Sequence, residues 1–336
     1  LNQLIELKNL LSAFPRPRVV ITTHHKPDAD ALGSSLGLLH FLIQLGVPAH
    51  VVSPTDYGDF LKWMPGEKEV VNFEKEKEKA TALVAAADLI FCLDFNTLSR
   101  INLLGDLVAN AKAKKILIDH HLEPEGFDDF RLWTTNASST SELIFWMIEL
   151  FNEVDKVNES IASCLYAGIM TDTASFKHNS TKPTTHRVAA KLLEKGAKPN
   201  SIHEAIYDNY SENRMRFIGY CLNEKLQIFH DYKTALIVVT AQELAHFQII
   251  TGDTEGLVNY GLSISGIELS ILVVDRTIAR KMSFRSKSKF PANAFARKHF
   301  NGGGHFNAAG GESADDLQTI EKKLKHLLPE YIAYLN

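Results

Sequence analysis

Four groups of aspartate and histidine stand in order in the first half of the 336-residue chain: His24-His25-Lys26-Pro27-Asp28-Ala29-Asp30, then Asp94, then Asp119-His120-His121, then Asp172. Carboxylates and imidazoles brought together would repel or suffer desolvation unless cations neutralised them. A mixed oxygen and nitrogen donor set without thiolate favours Mn²⁺, with Mg²⁺, Co²⁺ or Fe²⁺ as alternatives. Asp28, Asp30, Asp94 and Asp172 carry a charge of about −4, which two divalent ions balance at about +4. Asp28 and Asp30, one residue apart, would point to opposite sides of an extended stretch and so serve different ions. Asp94 would then lie between them as a bridge, with His120 and Asp172 completing the second ion. Two metals roughly 3.5–4 Å apart activate a water and clamp phosphoryl oxygens during in-line displacement. His121 has the chemistry to donate a hydrogen bond to the phosphoryl group or leaving oxygen. Asp119 is expected to orient a metal-ligand imidazole. Taken singly, each aspartate also fits an ordinary role as a helix N-cap or turn residue.

These side chains need elements that deliver them to one place. Three of the four groups follow apolar runs that read as strands: Val19-Val20-Ile21, Leu89-Ile90-Phe91-Cys92-Leu93 and Ile116-Leu117-Ile118. Parallel neighbours would release all three groups at one sheet edge, where open α/β sheets bind ligands. Strands are expected over 18–23, 49–53, 88–94 and 115–119, and helices over 31–45, 139–151 and 161–170, with Gly46 closing the first of these helices. Strands alternating with helices imply an α/β fold whose sheet is mostly parallel and flanked by helices. The run Glu74-Lys75-Glu76-Lys77-Glu78-Lys79 reads as a solvated helix face or loop. Residues 185–225 read as a helical connector after a domain at 1–184, and 226–336 as a smaller α/β lobe with strands near 226–230, 235–240, 267–275 and 279–285 and helices near 291–300 and 313–328. Ser313 and Asp316 resemble a capping box at the start of the last of these helices.

The second lobe has its own chemistry-bearing segment, Asn301-Gly302-Gly303-Gly304-His305-Phe306-Asn307-Ala308-Ala309-Gly310-Gly311. Successive glycines allow close backbone approach and an anion-binding nest; tight packing is the alternative. No Gly-Lys-Ser/Thr follows, so this is not a Walker A loop. Upstream, Ser283-Phe284-Arg285-Ser286 offers an arginine suited to bidentate phosphate binding. Residues 276–305 hold eight lysines and arginines and no Asp or Glu, which reads as a local basic pocket or, more plainly, a basic surface patch.

Composition limits the rest. A formal net charge of −4 argues against coating long nucleic acid by bulk electrostatics. No apolar stretch reaches the roughly 18 residues of a membrane span. The first eleven residues mix charge and leucine at helical spacing, unlike a signal peptide. Cys92, Cys164 and Cys221 are scattered and form no CxxC pair, which fits buried thiols in a cytoplasmic protein.

Together these motifs resemble the DHH phosphoesterases with a C-terminal DHHA1 domain, over nearly the whole chain. His24-x-x-Pro27-Asp28-x-Asp30, Asp94, Asp119-His120-His121 and Asp172 match the family's four motifs in order, and Gly302-Gly303-Gly304-His305 with Ala308-Ala309-Gly310 match the DHHA1 signature. One departure is Ala29, where many relatives carry glycine. The length and layout look most like the nanoRNase and pAp-phosphatase branch. The resemblance implies Mn²⁺-dependent cleavage of short oligoribonucleotides and 3′-phosphoadenosine 5′-phosphate (pAp). It implies one ion on His24, Asp28 and Asp94 and another on Asp30, Asp94, His120 and Asp172. It puts His121 at the scissile phosphate, and Ser283, Arg285, Gly303, Gly304 and His305 at the substrate's phosphate or terminal nucleotide. The expected partner is short single-stranded RNA or a nucleotide, not long duplex and not a membrane; a homodimer is left open. Rival readings are an exopolyphosphatase or inorganic pyrophosphatase, and a slow-turnover nucleotide sensor. A base stacked on Phe284, Phe306 or a nearby aromatic would favour nucleotides.

Overall fold

The computed structural model describes residues 2–250, 252–287 and 289–335. The chain divides into two compact units, Leu1–Asn209 and Tyr210–Asn336. The division falls inside the segment expected as a connector, so helices on either side of it belong to different units.

The first unit runs α1 (Asn2–Ser12), β1 (Val19–Thr23), α2 (Ala29–Gln44), β2 (Ala49–Ser53), β3 (Val71–Asn72), α3 (Lys77–Ala86), β4 (Leu89–Leu93), α4 (Leu104–Asn110), β5 (Lys114–Asp119), β6 (Phe130–Trp133), α5 (Thr140–Leu150), α6 (Glu159–Asp172), α7 (Pro183–Glu194) and α8 (Pro199–Tyr207). Its six strands are all parallel, in the order β3-β2-β1-β4-β5-β6. The order reverses between β1 and β4, and this switch point is where open α/β sheets form a ligand crevice. Alternation along the strands explains the unbroken apolar runs. Ile21, Phe91, Ile116 and Ile118 join one core layer with α1, α2, α5 and α6, whereas Val20, Ile90, Cys92 and Leu117 join another with α3 and α4. Gly46 closes α2 with φ of 71°, a conformation that glycine adopts without strain.

Close contact between α2 and α6 rests on glycine. A Cβ at Gly33 would lie 2.5 Å from the Cys164 carbonyl oxygen, and one at Gly37 2.5 Å from the Leu165 side chain. The two helices carry Asp30 and Asp172, so this packing brings together residues 142 positions apart in sequence.

The second unit runs α9 (Glu212–Tyr220), β7 (Leu226–Phe229), β8 (Thr234–Val239), α10 (Ala241–His246), α11 (Asn259–Leu262), β9 (Leu269–Asp275), β10 (Arg280–Ser286), α12 (Ala292–His299), β11 (Gly303–His305), β12 (Ala308–Ser313), α13 (Leu317–Leu327) and α14 (Ile332–Leu335). Its mixed sheet has the order β11-β12-β10-β9-β8-β7, with β8 and β9 parallel and the other pairs antiparallel. Leu236, Ile271 and Phe284 face α12 and α13, while Ile237, Val239 and Leu272 face α9 and α10.

Three local expectations need correction. The glycine-rich segment, where no strand was expected, is an edge hairpin, with Gly303, Gly304 and His305 paired to Gly310, Ala309 and Ala308. Asp316 alone caps α13, accepting from the Thr319 N–H at 2.7 Å, while the Ser313 hydroxyl bonds Asp315 instead. Asp30 lies in the first turn of α2 rather than in an extended stretch. All three cysteines are free and buried. Among the described residues, no helix is long and apolar enough to cross a membrane.

Candidate metal centre

His24 follows β1, Asp94 follows β4 and Asp119 ends β5, so three adjacent strands release them at one edge of the first sheet. Asp28 is both an N-cap and a candidate ligand. Its Oδ1 accepts from the Asp30 and Ala31 N–H groups at 3.0 Å, while Oδ2 lies 3.9 Å from His24 Nε2. His24 Nδ1 sits 2.9 Å from the His25 carbonyl oxygen. A proton there leaves Nε2 turned to the carboxylates. Separation of Asp28 from Asp30 therefore comes from cap and first-turn geometry, not strand alternation.

Asp94 lies between two sets of donors. Its Oδ2 is 3.4 Å from His24 Nε2, and its Oδ1 is 3.4 Å from His120 Nε2. His120 Nε2 is also 3.4 Å from Asp172 Oδ2 and 3.9 Å from Asp30 Oδ2. Donor atoms of His24, Asp28 and Asp94 lie within 4.8 Å of one another, and so do those of Asp30, His120 and Asp172. Asp94 takes a left-handed backbone, φ 65°, which aspartate tolerates better than most residues. Asp119 is fully buried and its Oδ1 is 2.7 Å from His121 Nδ1, so it orients His121.

Burial leaves this cluster electrostatically unbalanced. Burial and the neighbouring charges of Asp94 and Asp172 push the Asp30 carboxyl well above the usual range. Burial raises Asp172 too, helped by Asp28 and Asp94 and opposed by His120. Burial alone would raise Asp94, but hydrogen bonds from His120 and His24 hold it well below. His121 is lowered by burial, against the pull of Asp119. A compact set of oxygen and nitrogen donors with excess negative charge fits divalent cations, and the residues present fit two.

Several contributors are invisible to motif reading. The Thr140 hydroxyl donates to Asp94 Oδ1 at 2.9 Å, and its N–H donates to Asp30 Oδ2 at 2.7 Å. The Ser141 N–H donates to Asp30 Oδ1 at 2.9 Å. The N-terminal turn of α5 thus holds a buried carboxylate, where the helix dipole favours negative charge. The pattern Ser139-x-x-Glu142 marks this helix start in sequence, and Ser139 does accept from the Glu142 N–H. The Trp133 indole N–H donates to the His121 carbonyl oxygen at 2.6 Å from the end of β6.

Gly168 makes this arrangement physically possible. A Cβ there would lie 2.1 Å from Ser141 Oγ and 2.7 Å from Asp30 Oδ1. Gly168→Ala is expected to destabilise the protein by about 1–3 kcal/mol and to weaken Mn²⁺ binding by displacing Asp30. Thermal unfolding and a metal titration check this, and an unchanged melting temperature would show that the contact has slack.

After Asp172 the chain makes a left-handed turn, with φ of 49°, 60° and 65° at Ala174, Ser175 and Phe176. Such residues cost about 1–2 kcal/mol each. The turn is held by the Ser175 N–H to Met170 O at 2.7 Å, the Phe176 N–H to Thr173 Oγ1 at 2.9 Å, and stacking of Phe176 on His186 at 5.3 Å. Ala174→Gly should relieve strain without touching a donor and raise the melting temperature by about 2–4 °C. A fall in melting temperature would refute that account.

In the second unit, register places Ser283 opposite Gly310 and Arg285 opposite Ala308, while Gly303 and His305 pair with the same two residues from the other side. Directly paired residues share a sheet face, so Ser283, Arg285, Gly303 and His305 lie on one face. Gly304 pairs with Ala309 and has φ of 138°; a Cβ there would lie 2.5 Å from Ala308 O. Gly302 and Gly311 are equally confined, by Gly310 O at 2.0 Å and Phe300 O at 2.8 Å, whereas Gly303 has open space where a Cβ would stand. Tight packing thus accounts for Gly302, Gly304 and Gly311. Phe284 is fully buried and unable to stack a base, while Phe306 is 47% exposed. The basic stretch is partly engaged: Arg280 faces Asp275 at 3.5 Å, Lys281 pairs with Glu312, and Lys287 Nζ donates to Ile267 O at 2.8 Å.

Comparison with known proteins agrees with this geometry. The DHH family N-terminal domain matches residues 18–169 and the DHHA1 domain matches residues 233–335. A bifunctional oligoribonuclease and PAP phosphatase NrnA of Thermus thermophilus is 30% identical over 323 residues, covering 96% of this chain and 92% of the relative. The protein of the same name in Bacillus subtilis is 27% identical, covering 93% and 95%. The crystal structure of an exopolyphosphatase-related protein from Bacteroides fragilis is 40% identical with a TM-score of 0.94, covering 99% of this chain and 97% of that one. The chain belongs to the DHH phosphoesterase family, with a DHHA1 domain in its second unit.

Proposed function

We propose that this protein is a two-metal phosphoesterase that hydrolyses phosphodiester or phosphomonoester bonds of short oligoribonucleotides and of pAp-like nucleotides. The observation that carries this reading is the sharing of Asp94 between two donor sets, one oxygen toward His24 and the other toward His120. His24, Asp28 and Asp94 would hold one divalent ion, and Asp30, Asp94, His120 and Asp172 the other, with Mn²⁺ the expected metal. When bound, such a pair activates water and neutralises charge developing on the phosphoryl oxygens. The protein's own groups do the rest. Thr140 and Ser141 fix Asp30 and Asp94 from the α5 terminus. Asp119 holds the His121 ring through Nδ1, and His121 contacts the scissile phosphate or leaving oxygen through Nε2.

Residues 1–184 would form the catalytic domain, 185–225 the helical connector and 226–336 the substrate-binding domain. Ser283, Arg285, Gly303 and His305, sharing one sheet face, would receive the substrate's phosphate or terminal nucleotide. Gly304 would contribute through the backbone geometry of that hairpin. The names of the Thermus and Bacillus relatives support nucleotides as substrates, and both alignments cover most of each chain. The name of the Bacteroides relative supports an exopolyphosphatase as the second reading. A panel of short RNA, pAp, pyrophosphate and polyphosphate, each with Mn²⁺, separates them. Mononucleotide release from short RNA and dephosphorylation of pAp are expected. Turnover of polyphosphate or pyrophosphate alone would reject the nucleotide reading, and tight nucleotide binding without turnover would favour a sensor.

A further inference from the structure

Arg100 is an arginine out of place by ordinary rules. It lies in the 3-10 turn Leu98–Ile101, six residues after Asp94, and is half-buried. A guanidinium carries five donors and cannot shed its charge, so burying it without acceptors is costly. Every other buried or half-buried arginine among the described residues has an acceptor: Arg131 on Asp128, Arg214 on Glu255 O, Arg276 on Thr254, Arg280 on Ala314 O and Arg285 on Phe284 O. Among the described residues no side-chain hydrogen bond, ion pair or ring contact engages Arg100, although Asp28, Asp94 and Asp119 belong to the neighbouring cluster.

The backbone fixes where this charge is held. The His25 N–H donates to the Arg100 carbonyl oxygen at 2.8 Å, and the Arg100 N–H donates to Thr97 O at 3.1 Å. The turn is therefore tied to the segment that carries His24. A cation so placed, with its donors unspent on the protein's carboxylates, has the chemistry to bind an oxyanion bidentately.

We propose that Arg100 binds a non-bridging oxygen of the substrate's phosphoryl group, as a further substrate-contacting residue of the first unit. The inference rests on the phosphoesterase reading, and it concerns a residue outside the metal donors and outside the second unit's strip. It predicts that a minimal phosphate dianion, with no base attached, already depends on this side chain for binding.

The test uses full-length, Mn²⁺-loaded protein as wild type, Arg100→Gln and Arg100→Lys. Calorimetric titration with inorganic phosphate measures binding without turnover. Steady-state kinetics on pAp and the bound manganese content complete the set. Arg100→Gln should bind phosphate at least about tenfold more weakly and lose about 10²-fold in kcat/KM. Arg100→Lys should recover part of both, since it restores the charge but not the fork. Manganese content and melting temperature should not change, because the side chain holds no partner in the fold. Phosphate binding and kcat/KM within about twofold of wild type in Arg100→Gln would overturn the proposal. So would loss of manganese in that variant, which would place the side chain's action on the metal donors. If wild type hydrolyses nothing in the panel, the functional reading fails, yet the phosphate titration still decides the role of Arg100.

Discussion

Asp94→Asn is expected to lower kcat more than any other single substitution in the chain, by upwards of about 10³-fold. Loss of one preorganised electrostatic contact typically costs about 10²–10³-fold, and this residue faces both donor sets at 3.4 Å. Asparagine is the informative replacement. It tolerates the left-handed backbone at φ 65°, and its amide oxygen still accepts from the Thr140 hydroxyl. The fold should therefore survive, with the melting temperature of the metal-free protein changed little. The charge that balances two cations is what disappears. Measured manganese should fall by at least one ion per chain. A variant keeping near-full activity would remove Asp94 from its bridging position.

The second large effect concerns metal removal. Stripping divalent ions with a chelator should abolish hydrolysis, and adding Mn²⁺ should restore it. Stability should follow the same course. A ligand bound only by the folded state at about 100 times its Kd adds about 2.7 kcal/mol. The gain should fall on the first unit, which contains all six candidate ligands. Differential scanning calorimetry with and without Mn²⁺ checks this. In the metal-free cluster, Asp30 is pushed up by burial and by Asp94 and Asp172, so cation binding replaces repulsion with coordination. An identical melting profile with and without metal, at saturating Mn²⁺, would contradict the proposed centre.

Much of this was readable from residue order because the ligands sit at the ends of strands or helices. His24, Asp94 and Asp119 each follow a short apolar run, and β1, β4 and β5 are where those runs lie. Parallel strands buried on both faces leave continuous hydrophobic segments, which are easy to see. Other parts left little trace. Thr140 and Ser141 bind Asp30 across 110 and 111 positions, and nothing local in either segment announces the contact. Gly168 is needed for space against Ser141 and Asp30, not for an unusual φ, so its role emerges only when helices are packed. β6 leaves a weak signal because Phe-Arg-Leu-Trp is only four residues long. The hairpin of β11 and β12 was masked by its glycines, which are poor strand formers and read as loop. Arg100 carries no signal in the sequence, since its significance lies in the absence of a protein partner, a property no sequence displays.

The most direct test of the account is anomalous diffraction from crystals grown with Mn²⁺ and collected at the manganese edge. Two peaks are expected in the first unit, one among His24, Asp28 and Asp94 and one among Asp30, His120 and Asp172, with a carboxylate oxygen of Asp94 on each. A single peak, none at saturation, or peaks that leave Asp94 uncoordinated would contradict it.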